Sequence, residues 1–196
     1  MEERNLNEKE SLELISQMIR NTQQRFQRDH VAPLLVNGYV TVVLSVIIWV
    51  LLKETQNGIW NLLWLTIPIF GFSGLKIFFK NRTKNVRTYI DQSLDYIWWV
   101  LGAIMVSSGL LTFFLHVFPI LFLIILLIGV GITLTGLITK LKILTYAGIL
   151  NILSSVLFLF PVVKGIDQVL MFGAVFFFFM VIPGHILYSK KGAENV

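Results

Sequence analysis

A few polar side chains interrupt the long apolar stretches of this sequence, and their types could support chemistry there. Asn151 lies at the centre of one apolar run, and hydroxyl groups recur nearby and in two other runs. The group consists of Thr112, Thr133, Asn151, Ser154 and Ser155. These residues predict a narrow polar cavity of the kind that a small channel or facilitator needs. Helix packing explains the same residues and is the favoured interpretation, because hydroxyl and amide groups bond across helices in a membrane.

Acidic side chains are missing from the centres of the apolar runs. Charged residues within a membrane mark ion paths or substrate sites, because burying them in lipid is costly. Their absence argues against a proton-coupled carrier or a carboxylate metalloenzyme. The chain has no Cys, which excludes thiolate metal sites. The three histidines, His30, His116 and His185, are too scattered to predict a metal site. We therefore expect no cofactor, no metal and no enzymatic activity.

The composition identifies the solvent of this chain as a bilayer. Of its 196 residues, 56% are hydrophobic and only 14% are charged, whereas a soluble domain has about 25% charged residues. The formal charge is +5. This positive charge lies beside the apolar runs, where it suits anionic lipid head groups. No recognition motif accompanies it, so no nucleic-acid partner is expected.

The apolar runs predict an all-α polytopic membrane protein with six transmembrane helices in residues 31–190. A helical crossing needs about 20 residues. The predicted spans are about 33–53, 58–79, 95–116, 119–139, 143–161 and 167–189. Tyr recurs at the start of the odd spans, and Gly followed by Lys recurs at the end of the even ones. This recurrence suggests three similar helical hairpins, or simply the residues that any six-span protein places at one interface.

The positive charges predict the orientation. Of the 16 Lys and Arg residues, only Lys53 and Lys164 fall in the alternate gaps between spans, which leaves 16 − 2 = 14 on the other side. Cytoplasmic loops retain Lys and Arg. The expected topology therefore places the N-terminus, the C-terminus and the tail 191–196 in the cytoplasm.

Residues 1–30 are the one sizeable polar segment, and they predict a cytoplasmic amphipathic helix over about 8–28. Acids gather at its start and bases at its end, which suits the helix dipole. Its apolar stripe, the candidate docking face, consists of Leu12, Ile15, Met18, Ile19 and Phe26. This face could bind a cytoplasmic protein, another subunit of a homo-oligomer or the inner leaflet.

The connector between the second and third spans carries four basic residues, Lys80, Arg82, Lys84 and Arg87. They could bind an anionic lipid head group or an acidic partner, with about 1 kcal/mol of attraction per basic residue at an anionic surface. The other interpretation is that they only retain this loop in the cytoplasm.

The opening Glu8-Lys9-Glu10-Ser11-Leu12-Glu13-Leu14-Ile15-Ser16-Gln17-Met18-Ile19, with Gly38-Tyr39-Val40-Thr41 in the first span, resembles a group of small uncharacterised bacterial inner-membrane proteins. The resemblance implies a bacterial inner-membrane location and no activity, substrate or functional residue.

The sequence is compatible with three functions. The first is a non-enzymatic membrane scaffold or regulator that engages a partner through its N-terminal helix. The alternative is a small uncoupled channel or transporter with a polar path among spans three to five. The third is a lipid-binding or lipid-modifying protein.

Overall fold

The computed structural model describes residues 8–67, 70, 89–115, 119–160 and 165–189. Before Val31, side chains are described only at Leu12, Glu13 and Ser16. Every regular element within these ranges is helical, so the predicted all-α class is confirmed for the described part of the chain. The connector residues Lys80, Arg82, Lys84 and Arg87 lie outside the described residues.

The first helix, α1, runs without interruption from Glu8 to Thr55 over 48 residues. The sequence predicts a head helix and a separate first span, whereas the structure joins the two. No glycine precedes Gly38 in this helix, and adding residues to an existing helix costs little. Pro33 lies inside α1 and has no N–H to donate. The side-chain amide of Asn37, one turn further along the same helix, donates to the Pro33 carbonyl at 3.0 Å.

The remaining elements differ in helix type and length. A 3-10 helix at Gly58–Leu65 follows α1. Helices α2 (Tyr89–Leu115) and α3 (Ile120–Ile138) come next. Helix α4 (Lys142–Ser155) ends in a 3-10 turn, Val156–Phe158. The last segment comprises α5 (Asp167–Phe176), a π-helix (Phe177–Val181) and α6 (Ile182–Ser189).

Four helical stretches are long and apolar enough to cross a membrane: Val31–Thr55, Tyr89–Thr112, Ile120–Ile138 and Asp167–Ser189. They match predicted spans one, three, four and six. The predicted fifth span has a shorter counterpart, the apolar stretch Lys142–Phe158. The predicted second span begins as a 3-10 helix instead of an α-helix, and half of it lies outside the described residues.

A tight turn joins α3 to α4, in the short gap between the predicted fourth and fifth spans. Lys140 adopts a left-handed conformation with φ 57°. The Leu141 N–H donates to the Gly136 carbonyl at 2.9 Å, and the Lys140 N–H donates to the Leu137 carbonyl at 3.3 Å. These two bonds form a Schellman motif, which satisfies carbonyls that the end of a helix leaves unpaired.

The core joins α1, α3, α4 and the Asp167–Ser189 segment. One cluster includes Leu34, Ile125, Ile132, Leu144 and Phe172. Helix α1 packs along α5, the π-helix and α6, while α4 packs most extensively on α3. The most extensive packing therefore joins α3 and α4, which belong to different predicted hairpins. The three-hairpin repeat stays a prediction.

Candidate functional site

The α3–α4 interface is built on glycine. A side chain at Gly148 would place its Cβ 2.5 Å from the Thr133 backbone nitrogen, and one at Gly129 would place it 2.9 Å from the Ile152 nitrogen. Both distances are far below van der Waals contact between heavy atoms. The two backbones are therefore so close that only glycine, whose side chain is a hydrogen atom, fits at these positions. Small residues allow this approach between membrane helices. No pore can run directly between these two helices at this level.

Asn151 lies beside this interface and is 3% exposed. It is three residues from Gly148, which turns it roughly 60° about the axis of α4. Helix α4 contacts α3 on one side and the π-helix and α6 on another. Ala147 and Ser154 are buried as well, and they lie roughly 100–120° from Gly148 around the helix axis, beyond Asn151. Asn151 therefore lies between the two packed faces of its helix.

The Asn151 side chain has one unmet bonding requirement. Its Oδ1 is buried without a hydrogen-bond partner. A buried acceptor without a donor costs about 1–3 kcal/mol. The neighbouring hydroxyls do not supply the donor, because both bond backbone oxygens of their own helix. Ser154 Oγ donates to the backbone carbonyl of Asn151 at 2.7 Å, and Ser155 Oγ donates to the backbone carbonyl of Ile152 at 2.6 Å. The Asn151 Oδ1 is therefore an unused hydrogen-bond acceptor in the described part of the chain.

The structure brings together only part of the predicted polar group. Thr133 meets Gly148 across the interface, and its hydroxyl donates to the Gly129 carbonyl of its own helix at 2.7 Å. Thr112 is half-buried on α2 and donates to the Ser108 carbonyl at 2.9 Å. Helix α2 packs on α3 and makes no comparable contact with α4 in the described chain. The three α4 residues and Thr133 therefore share one region, and Thr112 is on a separate helix.

A π-helix interrupts the Asp167–Ser189 segment near its middle. The Ile182 N–H donates to the Phe177 carbonyl, five residues back. Pro183 follows immediately; its ring has no N–H to offer and crowds the carbonyl four residues before it. Widening the preceding turn relieves this conflict. π-helical turns of this kind occur often at functional sites, and this one packs against both α1 and α4.

Two polar pairs, which sequence reasoning missed, tie α1 to the Asp167–Ser189 segment. The Tyr39 hydroxyl is hydrogen-bonded to His185 Nε2. Nearer the C-terminal end of α1, Trp49 Nε1 donates to Asp167 Oδ1 at 2.8 Å. Interface residues at both ends of two antiparallel spans are the signal that could have paired them.

The predicted docking face is described at one position. Leu12 is 66% exposed, and the side chains of Ile15, Met18, Ile19 and Phe26 are not among those described. No group of three or more metal-binding side chains occurs within the described residues. No protein-family model, curated protein or solved structure is significantly similar to this chain.

Proposed function

We propose that this protein is a non-enzymatic scaffold or regulator in a bacterial inner membrane, with six spans and both termini in the cytoplasm. Its N-terminal helix engages a cytoplasmic protein, a second copy of the chain or the inner leaflet, and the membrane domain anchors or regulates that contact. The fourteen-to-two distribution of Lys and Arg supports this orientation.

The continuity of α1 is the observation that carries this proposal. At 1.5 Å per residue, the 23 residues from Glu8 to His30 extend roughly 34 Å beyond the apolar stretch. Leu12, near the tip, is exposed. Further along the same helix, Leu34 and Ile48 are buried in the two hydrophobic clusters between the helices. A single rigid element of this kind can transmit a contact at its tip to the packing between helices.

Deleting residues 1–28 is expected to remove the proteins that co-purify with the full chain. A sharper pair of substitutions is Ile15→Asp, on the apolar stripe, and Gln17→Asp, which lies roughly 200° away around the helix. Quantitative mass spectrometry of affinity-purified samples should show partner loss with Ile15→Asp and retention with Gln17→Asp. An unchanged partner set after the deletion would contradict the docking role.

The unpaired Asn151 oxygen favours a second candidate, a small uncoupled channel or transporter. A solute path at this site would run between α4 and the π-helix, because the glycine packing closes the α3–α4 interface. We expect Asn151→Leu to abolish solute flux in liposomes. Asn37→Leu is the matched control, since that amide is bonded within its own helix, and it should retain flux. Absence of wild-type flux across a broad solute panel would count against this function.

A further inference from the structure

Trp49 lies between two opposite charges where α1 approaches its C-terminal end. Its indole N–H donates to Asp167 Oδ1 at 2.8 Å. The Lys53 ammonium lies 4.4 Å from the centroid of the same ring. Trp49 is half-buried, whereas Lys53 and Asp167 are both exposed. One indole therefore carries a cation over its face and an anion at its edge, and both charges are open to a ligand.

The surrounding core holds this arrangement in place. Trp49 packs on a buried cluster formed by Leu44, Ile48, Leu52 and Val169. A Cβ at Gly173 would lie 2.7 Å from Ser45 Cβ, so α1 and α5 are in close contact one turn below Trp49. The charges are thus presented from two helices whose relative position is fixed. Such preorganisation lowers the entropy cost of binding.

The position of Lys53, Trp49 and Asp167 along the apolar stretches indicates which molecules surround them. Lys53 ends the apolar part of α1, and Asp167 begins the apolar stretch that runs back alongside it. Trp60 lies at the same end, with its indole N–H donating to Thr55 Oγ1 at 2.8 Å. Tryptophan is enriched where the hydrocarbon core meets the head groups. In the proposed membrane setting, Lys53 and Asp167 therefore lie at the level of the lipid head groups.

We propose that Lys53, Trp49 and Asp167 bind the head group of a zwitterionic aminophospholipid, phosphatidylethanolamine. The Lys53 ammonium donates to the phosphate oxygens. The primary ammonium of the lipid donates to Asp167 Oδ2, the oxygen that Trp49 does not use. Phosphatidylglycerol brings no cation to Asp167, and the quaternary ammonium of phosphatidylcholine has no N–H to donate. The site therefore selects phosphatidylethanolamine. This inference depends on the proposed membrane setting and is independent of the scaffold role.

Native mass spectrometry of protein released from nanodiscs tests the selection. The nanodiscs contain equal amounts of phosphatidylethanolamine, phosphatidylcholine and phosphatidylglycerol. The wild type should retain phosphatidylethanolamine roughly five-fold over the other two, as an exposed charge pair of good geometry allows. Asp167→Asn should reduce this retention to the phosphatidylcholine level. Lys53→Gln should reduce the retention of all three lipids.

Lys142→Gln is the control, because it removes one exposed positive charge at the α3–α4 turn, far along the chain from the site. It should leave lipid retention as in the wild type. Retention by the wild type in proportion to the mixture would overturn the proposal. So would an Asp167→Asn profile identical to that of Lys142→Gln. Neither result would affect partner binding by the N-terminal helix, so this proposal and the scaffold proposal fail separately.

Discussion

Replacing Gly148 with alanine is expected to destabilise the membrane domain by about 3 kcal/mol, the upper end of the usual cost of overpacking. The added Cβ would lie 2.5 Å from the Thr133 nitrogen. Backbone cannot rotate away from such a contact as a long side chain could. Helices α3 and α4 must therefore separate, and they would lose packing along the most extensive interface in the described structure.

Thermal unfolding in a fixed detergent, followed by tryptophan fluorescence, measures this effect. The melting temperature should fall on the order of 10 °C for a chain of this size. Gly102→Ala is the matched control, because a Cβ at Gly102 on α2 meets nothing within 4 Å. It should leave the melting temperature unchanged or slightly higher, since alanine is favoured over glycine inside a helix. Equal melting temperatures for the two variants would contradict the described interface.

The positions of four long apolar helical stretches could be predicted from the sequence, because a helix needs about 20 residues to cross a bilayer. The break near His116–Pro119 illustrates this: α2 ends at Leu115 and α3 begins at Ile120. The tight turn at Lys140 was likewise predictable, since two apolar runs meet there with only a few residues between them. Hydropathy carries this information directly, without any knowledge of how the helices pack.

Local helix type could not be predicted in the same way. The 3-10 helix at Gly58–Leu65 and the π-helix at Phe177–Val181 have strongly apolar sequences that also suit an α-helix. The choice depends on single bonds, such as the donor that Pro183 lacks. The continuity of α1 across the boundary near His30 was missed for a related reason. The sequence changes there from polar to apolar, which indicates that the helix passes from one solvent to another, and an α-helix can do so without interruption.

The candidate sites could likewise be predicted only in part from the sequence. Asn151 could be selected from the sequence because an amide at the centre of an apolar run must find a partner. Its unpaired oxygen depends on where Ser154 and Ser155 direct their hydroxyls, which only the structure shows. The pairing of Trp49 with Asp167 spans 118 residues. The residues around either position alone do not identify this contact, and only a comparison of the interface residues at the ends of both spans could have suggested it.

Inserting two alanines after Arg28 is expected to reduce partner retention roughly thirty-fold, the effect of losing a central binding contact. The insertion lies in the uninterrupted part of α1 and before its apolar stretch. Two residues rotate the tip of the helix by about 200°, whereas four residues rotate it by a net 40°. Leu12 and the rest of the docking face would point away from the partner in the first case and nearly toward it in the second.

The four-alanine insertion is therefore the control, and it should restore most of the retention although it lengthens the helix more. The measurement is the ratio of partner to bait in quantitative mass spectrometry of affinity-purified membranes. Equal retention with two and four alanines would show that the head docks without reference to the membrane domain. Combined with partner loss on deletion of residues 1–28, that result would retain the docking role and reject transmission through α1. Loss of the partner with two alanines and its recovery with four would indicate that binding depends on how the docking face is oriented around α1 relative to the membrane domain. The helix would then couple the cytoplasmic contact to that domain.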